Sequence, residues 1–265
     1  MKKWLLSLGL VLAILTLAGC ARQVVSNSWP RIERNKTVVV GLDDSFVPMG
    51  FREKNGQLTG YDIDLARAVF KRYGIKVDFQ TIEWSMKETE LKNQTIDLIW
   101  NGYTKTADRA KKVAFSNPYL TNHQVLVTKT KSRITTPSQM QGKTLGVQTG
   151  SSGADDLDKD PKLLKQYIAN RTPILYDTFN NALIDLDANR IQGLLMDEVY
   201  AKYYIARKPD PKSYHLVSVN FPPETFAVGM RKSDHVLQQK INQAFVALQK
   251  DGTLAKLQAK WFGKN

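Results

Sequence analysis

From Thr37 onward the chain repeats one pattern, a short apolar or β-branched run followed by a stretch with helical spacing. That alternation selects an α/β architecture, because strands buried on both faces need helices to cover them. Thr37 to Leu42 reads as a first buried strand. Tyr61 to Tyr73 reads as a helix, with Ile63, Ala66 and Phe70 on one face, Asp62 and Asp64 in its first turn and Gly74 as its stop. Lys76 to Gln80 follows as a strand, Lys87 to Lys92 opens a helical stretch, and Ile96 to Trp100 is apolar enough to be buried on both faces. A second set comes next: strands at Val125 to Thr128 and Lys143 to Gln148, a helix near Pro161 to Ala169, strand Ile174 to Tyr176, helix Asn180 to Asn189 and strand Gly193 to Met196. Strand Thr225 to Met230, helix Asp234 to Lys250 and a last amphipathic helix ending at Trp261-Phe262-Gly263 complete the chain. Two α/β sets predict two lobes.

The N-terminus carries a different signal. Lys2 and Lys3 precede an apolar run from Trp4 to Leu17, and Leu17-Ala18-Gly19-Cys20 places small residues before a cysteine. This order is that of a signal peptide, and the run is shorter than the ~18 apolar residues of a spanning helix. It resembles the bacterial lipobox, which implies cleavage after residue 19 and acylation of Cys20 with diacylglyceryl and palmitate groups. The expected location is the extracytoplasmic face of the cell membrane, held by lipid alone. Cys20 is the single cysteine, so no internal disulfide forms and a packed core must supply the stability. Residues 20–35 are polar and irregular and read as a lipidated tether. What remains suffices for two lobes of about 120 residues each.

The formal net charge is +13, two of those charges being Lys2 and Lys3 of the leader. The lysines are spread along the chain without an arginine-rich block or a recognition module, so nucleic acid is not an expected partner. Outside the cell such a balance suits anionic headgroups or wall polymers.

Unusual polar residues gather after the strands: Asp43-Asp44-Ser45-Phe46, Asn101-Gly102-Tyr103-Thr104, Thr149-Gly150-Ser151-Ser152-Gly153 and Asp197-Glu198. In open parallel sheets the carboxyl ends of strands bound a crevice where ligands bind. Thr106 can cap a helix beginning at Ala107, which puts Arg109 in its first turn against the helix dipole. Either its guanidinium faces a carboxylate in the crevice or it forms a surface pair with Asp108 or a glutamate. Phe46 and Trp84 can be plain core aromatics, Asp197 a helix cap, and Asp43 with Asp44 a solvated turn.

Seven motifs occur in order: Gly60-Tyr-Asp-Ile-Asp-Leu-Ala66; Ile96-Asp-Leu-Ile99 with Gly102 and Thr104; Thr106-x-x-Arg109; Phe115-Ser116-x-Pro118-Tyr119; Gly142-Lys143 with Gly146-Val147; Asp251-Gly252-Thr253; and Lys260-Trp261-Phe262-Gly263. Together, from Thr37 to Gly263, the chain resembles the polar amino-acid-binding lipoproteins of ABC importers, the extracellular solute-binding proteins of family 3. The resemblance implies a periplasmic-binding-protein type II fold of two lobes with two hinge crossovers, near Thr121–His123 and Val219–Pro223. It divides the chain into lobe 1 (36–122 and 221–265) and lobe 2 (123–220).

By the same resemblance, Arg109 grips the ligand α-carboxylate with help from Thr104 and Ser152. Gly102 offers main-chain contacts beside Asn101, Asp197 pairs with the α-ammonium, Phe46 and Trp84 sandwich the side chain, and Asp43 reaches its tip. The family often has serine or alanine at Asn101 and a side chain at Gly153, so a larger ligand or a water is expected beside Gly153. The acidic residues favour arginine, lysine or cystine as ligand, with glutamine as the neutral alternative. The implied partners are a permease and a separate ATPase subunit, and the binding protein itself is expected to be a monomer.

No catalytic residue, cofactor or metal is expected. Gly142-Lys143-Thr144 lacks the glycine of a phosphate loop, since Pro137 stands there. His123, His215 and His235 are isolated, and Asp155, Asp156, Asp158 and Asp160 lack the calcium-loop glycine and glutamate. The rival readings are a dehydratase-like enzyme with Asp197 as general acid, a lytic enzyme and a sensor domain. The last two would need a further catalytic domain or a spanning helix after the lobes, and neither is expected.

Overall fold

The computed structural model describes residues 27–263. The expected signal peptide, Cys20 and the start of the tether lie outside the described residues.

Two five-stranded sheets organise the chain. In the first the order is Lys76–Thr81, Thr37–Leu42, Leu98–Ile99, Gly229–Met230, Ala114–Phe115. Thr37–Leu42 runs parallel to both neighbours, whereas Gly229–Met230 returns antiparallel. In the second the order is Ile174–Tyr176, Leu145–Gln148, Gly193–Asp197, Gln124–Lys129, Tyr214–Ser218. Its first three strands are parallel, and Gln124–Lys129 is antiparallel to both neighbours. Between the sheets, Leu120–Asn122 and Glu224–Phe226 pair antiparallel, with Asn122 opposite Glu224. These two strands carry the chain over and back, which makes the fold two-lobed with two crossovers.

The core follows the sequence pattern. Val38, Val40 and Leu42 are fully buried in the first strand. The helix Tyr61–Lys71 turns Tyr61, Leu65, Ala66, Val69 and Phe70 inward, at the spacing one helical face requires. It meets His235–Lys250, whose Leu237, Ile241, Ala244, Phe245 and Leu248 form the matching face.

Several expectations are corrected. The tether does not extend to residue 35, because Trp29–Asn35 is a helix with Trp29 and Ile32 buried. Pro30 is its second residue, its fixed φ suiting the first helical turn. Ser28 N–H donates to Asp234 at 2.7 Å, and Arg31 pairs with Asp97, which also binds Arg231. The helix expected near Pro161–Ala169 is a series of turns, and the regular helix is Ser152–Lys159. Asp160 is driven to φ −128°, ψ 70°, since a residue before proline avoids the α region. Thr225 to Met230 is not one strand. Glu224–Phe226 joins the crossover ribbon and Gly229–Met230 the first sheet.

Candidate functional site

The polar loops of the two lobes face each other across a cleft that is shut. Phe46, Trp84, Asn101, Gly102, Thr104 and Arg109 from the first lobe meet Ser152 and Asp197 from the second, together with Gln148 and Ser151. They leave about 10 Å³ between them, at the threshold for one water. Thr104 Oγ1 and Ser152 Oγ lie 3.1 Å apart across this gap.

Arg109 occupies the first turn of the helix Ala107–Lys112, capped by Thr106. Its side chain is 6% exposed, and it does not pair with Asp108, which binds Lys111 and Lys159 at the rim. The guanidinium instead turns into the cleft. Nη1 donates to the Thr104 carbonyl and Nη2 to the Gly150 carbonyl, both at 3.1 Å, and its carbon sits 4.8 Å above the Tyr103 ring. Lys87 reinforces the positive charge. Its Nζ donates to Trp84 O at 3.1 Å and Gly150 O at 2.9 Å. Burial, then repulsion from Arg109, pushes its pKa down to about 8. Ser152 opens the helix Ser152–Lys159, whose first-turn N–H groups have no acceptor within the helix. The combination suits an anionic group.

Asp197 lies on the opposite wall. It precedes the helix Glu198–Ala206 but makes no side-chain cap. Its Oδ1 accepts from Asn122 Nδ2 at 2.6 Å and Gln124 Nε2 at 2.9 Å. Burial and the neighbouring Glu224 hold its carboxyl well above the usual carboxylate range. The space expected beside Gly153 is filled by protein. A Cβ at Gly153 would stand 2.6 Å from Gln124 Oε1, so the missing side chain admits the Gln124 amide, and the expectation of a larger ligand or a water there is corrected.

The aromatic positions serve core and cavity at once. Phe46 packs on Phe179 and Tyr200 of the second lobe at 5.9 and 5.4 Å, and Trp84 stands edge-on to Tyr103 at 5.9 Å. Gly102 has φ +57°, and a Cβ there would lie 2.8 Å from Phe46, so both its conformation and its surroundings demand glycine. Its N–H is taken by Asp62 Oδ2 at 2.7 Å, which also accepts from Tyr119 at 2.9 Å. Asp62 is fully buried, and burial pushes its pKa up to about 7.

Asn101 accepts from Asp43 N–H at 3.2 Å. Asp43 is not a solvated turn and does not line the cavity. Ser45 donates to its Oδ1 from N at 2.9 Å and from Oγ at 2.6 Å, and Gln148 Nε2 donates to Oδ2 at 3.0 Å. Asp44 is the surface member, bound to Arg52 at 2.6 Å. Gln148 thus stands between Asp43 and the cavity, and it was not among the expected site residues. Asn122, Gln124, Glu224, Asp62 and Lys87 were not expected there either. Gln148 closes an expected strand just before a polar loop, which was its available signal. Among the described residues no cluster of His, Cys, Asp and Glu is arranged to hold a metal ion.

Residues 38–264 match the bacterial extracellular solute-binding proteins, family 3. The fold is similar to the crystal structure of an ABC uptake transporter substrate-binding protein from Streptococcus pneumoniae with bound histidine. That chain is 52% identical, with a TM-score of 0.89 over 90% of this chain and 97% of that one. The arginine-binding extracellular protein ArtP of Bacillus subtilis is 28% identical over 265 residues, covering 99% of this chain and 98% of its own. The L-cystine-binding protein TcyJ of Escherichia coli is 28% identical over 235 residues, covering 88% and 85%. Two α/β lobes closed on a guanidinium and a buried carboxylate, with these matches along nearly the whole chain, make the protein a member of family 3 of the bacterial extracellular solute-binding proteins.

Proposed function

We propose that this protein is the lipid-anchored binding component of an ABC importer, capturing one polar amino acid outside the cell membrane and presenting it to a permease powered by a separate ATPase. The observation that carries this reading is that Arg109 of the first lobe and Asp197 of the second line one cavity. A zwitterion supplies the complement to both, its carboxylate to the guanidinium in a bidentate fork and its ammonium to Asp197. Thr104, Ser152 and the start of helix Ser152–Lys159 support the carboxylate. Asn101 and Gly102 contact the ligand backbone, and Phe46 with Trp84 flank its side chain. Asp43 acts through Gln148 on the side-chain end.

Lobe 1 is taken as 36–122 and 221–265 and lobe 2 as 123–220, hinged at the paired strands Leu120–Asn122 and Glu224–Phe226. Contacts from both lobes make ligand binding favour the closed state. The relatives that bind arginine, cystine and histidine place basic, disulfide-linked and imidazole side chains within the class. Histidine, bound in the 52% identical structure, joins arginine as a first ligand to test. Cys20 carries the lipid, and the mature protein acts as a monomer.

A thermal-shift screen of the mature protein against the common amino acids tests this. Stabilisation by one or a few of them, about 2.7 kcal/mol at a hundredfold excess over Kd, is the expected result. No shift from any would overturn the reading. Turnover of a stabilising amino acid would establish instead the dehydratase-like reading, which the raised carboxyl of Asp197 would serve as general acid.

A further inference from the structure

Behind Asp197 lies a second buried carboxylate, Glu224, on the returning crossover strand. Both carboxylates share the same two amides. Asn122 Nδ2 reaches Asp197 Oδ1 at 2.6 Å and Glu224 Oε2 at 3.1 Å. Gln124 Nε2 reaches the same two oxygens at 2.9 and 3.0 Å, and Ser152 Oγ at 3.2 Å. These are five donor–acceptor contacts, and two amide groups hold only four hydrogens between them. Every donor is neutral.

The surrounding charges do not make up the deficit. Arg109 acts on Asp197 through its charge but gives neither carboxylate a hydrogen bond, since it donates to Thr104 O and Gly150 O and lies 3.9 Å from Asp155. Lys159 pairs with Asp108 at 3.2 Å. Asp155 and Asp156, on the helix Ser152–Lys159, add negative charge, and Lys105 lies in the outer groove. Among the described residues no cation forms a salt bridge with Asp197 or Glu224. Two carboxylates this close and this dry cannot both remain ionised without a positive partner.

We propose that Glu224 is a further residue of the ammonium subsite, and that the Asp197–Glu224 pair carries one proton until an amino acid's ammonium displaces it. This rests on the amino-acid-binding reading above. The exchange balances: the protonated pair and the zwitterion give a complex with both carboxylates ionised and the ammonium intact, and one proton leaves to solvent. The structure provides its exit. Asp197 lines the inner cavity, whereas Glu224 lines an outer groove of about 250 Å³ with Asp156, Lys159 and Lys105. The raised pKa of Asp197, caused by burial and by Glu224, agrees with a proton held there before binding.

Calorimetric titration of the mature protein with L-arginine and with L-histidine at pH 7.0, in phosphate and in Tris, counts the protons. Release of roughly one proton per molecule bound is expected, with affinity falling about tenfold per pH unit on the acid side. Glu224→Gln should bind with proton release and acid slope both diminished. Should that variant fail to fold, the wild-type proton count still decides. Binding with no proton released overturns the exchange while leaving the amino-acid reading intact. Failure of both amino acids to bind overturns the reading beneath it, and the exchange with it.

Discussion

Arg109 and Gly150 are joined across the cleft, Nη2 donating to the carbonyl at 3.1 Å, and Lys87 donates to that same oxygen at 2.9 Å. A carbonyl has two lone pairs, and here two cations of the first lobe use both on one residue of the second. Closure therefore concentrates positive charge where the second lobe also presents a helix N-terminus. The opposite wall, where Asp197 at the end of a second-sheet strand meets Glu224 of a crossover strand, is acidic. The polarity of the site is set by which lobe element meets which, with cations on one side and carboxylates on the other.

Gly153 tests that acidic wall. In Gly153→Ala the new Cβ, 2.6 Å from Gln124 Oε1, would push the amide away from Asp197 and Glu224. Overpacking of this kind costs about 1–3 kcal/mol of stability, and affinity for the stabilising amino acid should fall by about tenfold or more. Calorimetry and thermal melts of the variant check both, and unchanged affinity would mean that Gln124 does not shape the site.

Asp62 gives a pH signature. Its folded pKa of about 7 lies above the unfolded value, so the folded state prefers the protonated acid. The stabilisation it contributes is therefore full below about pH 4, is lost as pH rises toward 7, and stays lost above, at up to about 1.4 kcal/mol per unit. Asp62→Asn removes this titration. The Tm of wild type minus that of the variant should decline between pH 5 and 8, and a flat difference would contradict the assignment.

Trp29 separates anchoring from folding. It is 6% exposed, stands edge-on to Tyr73 at 5.3 Å and lies under Lys240 at 5.4 Å. Trp29→Ala should cost about 3–5 kcal/mol with ligand affinity unchanged, measured by denaturant melts and calorimetry. A variant as stable as wild type would restore residues 29–35 to the tether.

Much of this fold was legible because its strands are short apolar runs and its helices have one apolar face. Thr37–Leu42 and His235–Lys250 show both signals plainly. The helix Glu198–Ala206 was signalled only by the possible Asp197 cap and not by a periodic face, since its tyrosines spread around the axis, burying Tyr200 while leaving Tyr203 and Tyr204 partly out. In the site, Arg109 stood out as a charge in an ordered motif and Asp197 as a charge just after a buried strand. Asn122, Gln124 and Glu224 did not, because a lone polar residue in a strand has no period. Only the pairing of Asn122 with Glu224 brings them together. Asp43 was legible as polar, but the Gln148 bond that turns it away from the cavity spans the two lobes.

The most direct test is equilibrium titration of the most stabilising amino acid into wild type and Arg109→Ala, with circular dichroism confirming that both are folded. Loss of the charged hydrogen bonds to a carboxylate should weaken binding at least about a hundredfold, ~2.7 kcal/mol. Wild-type affinity retained by a folded Arg109→Ala would place the carboxylate site elsewhere and contradict the account.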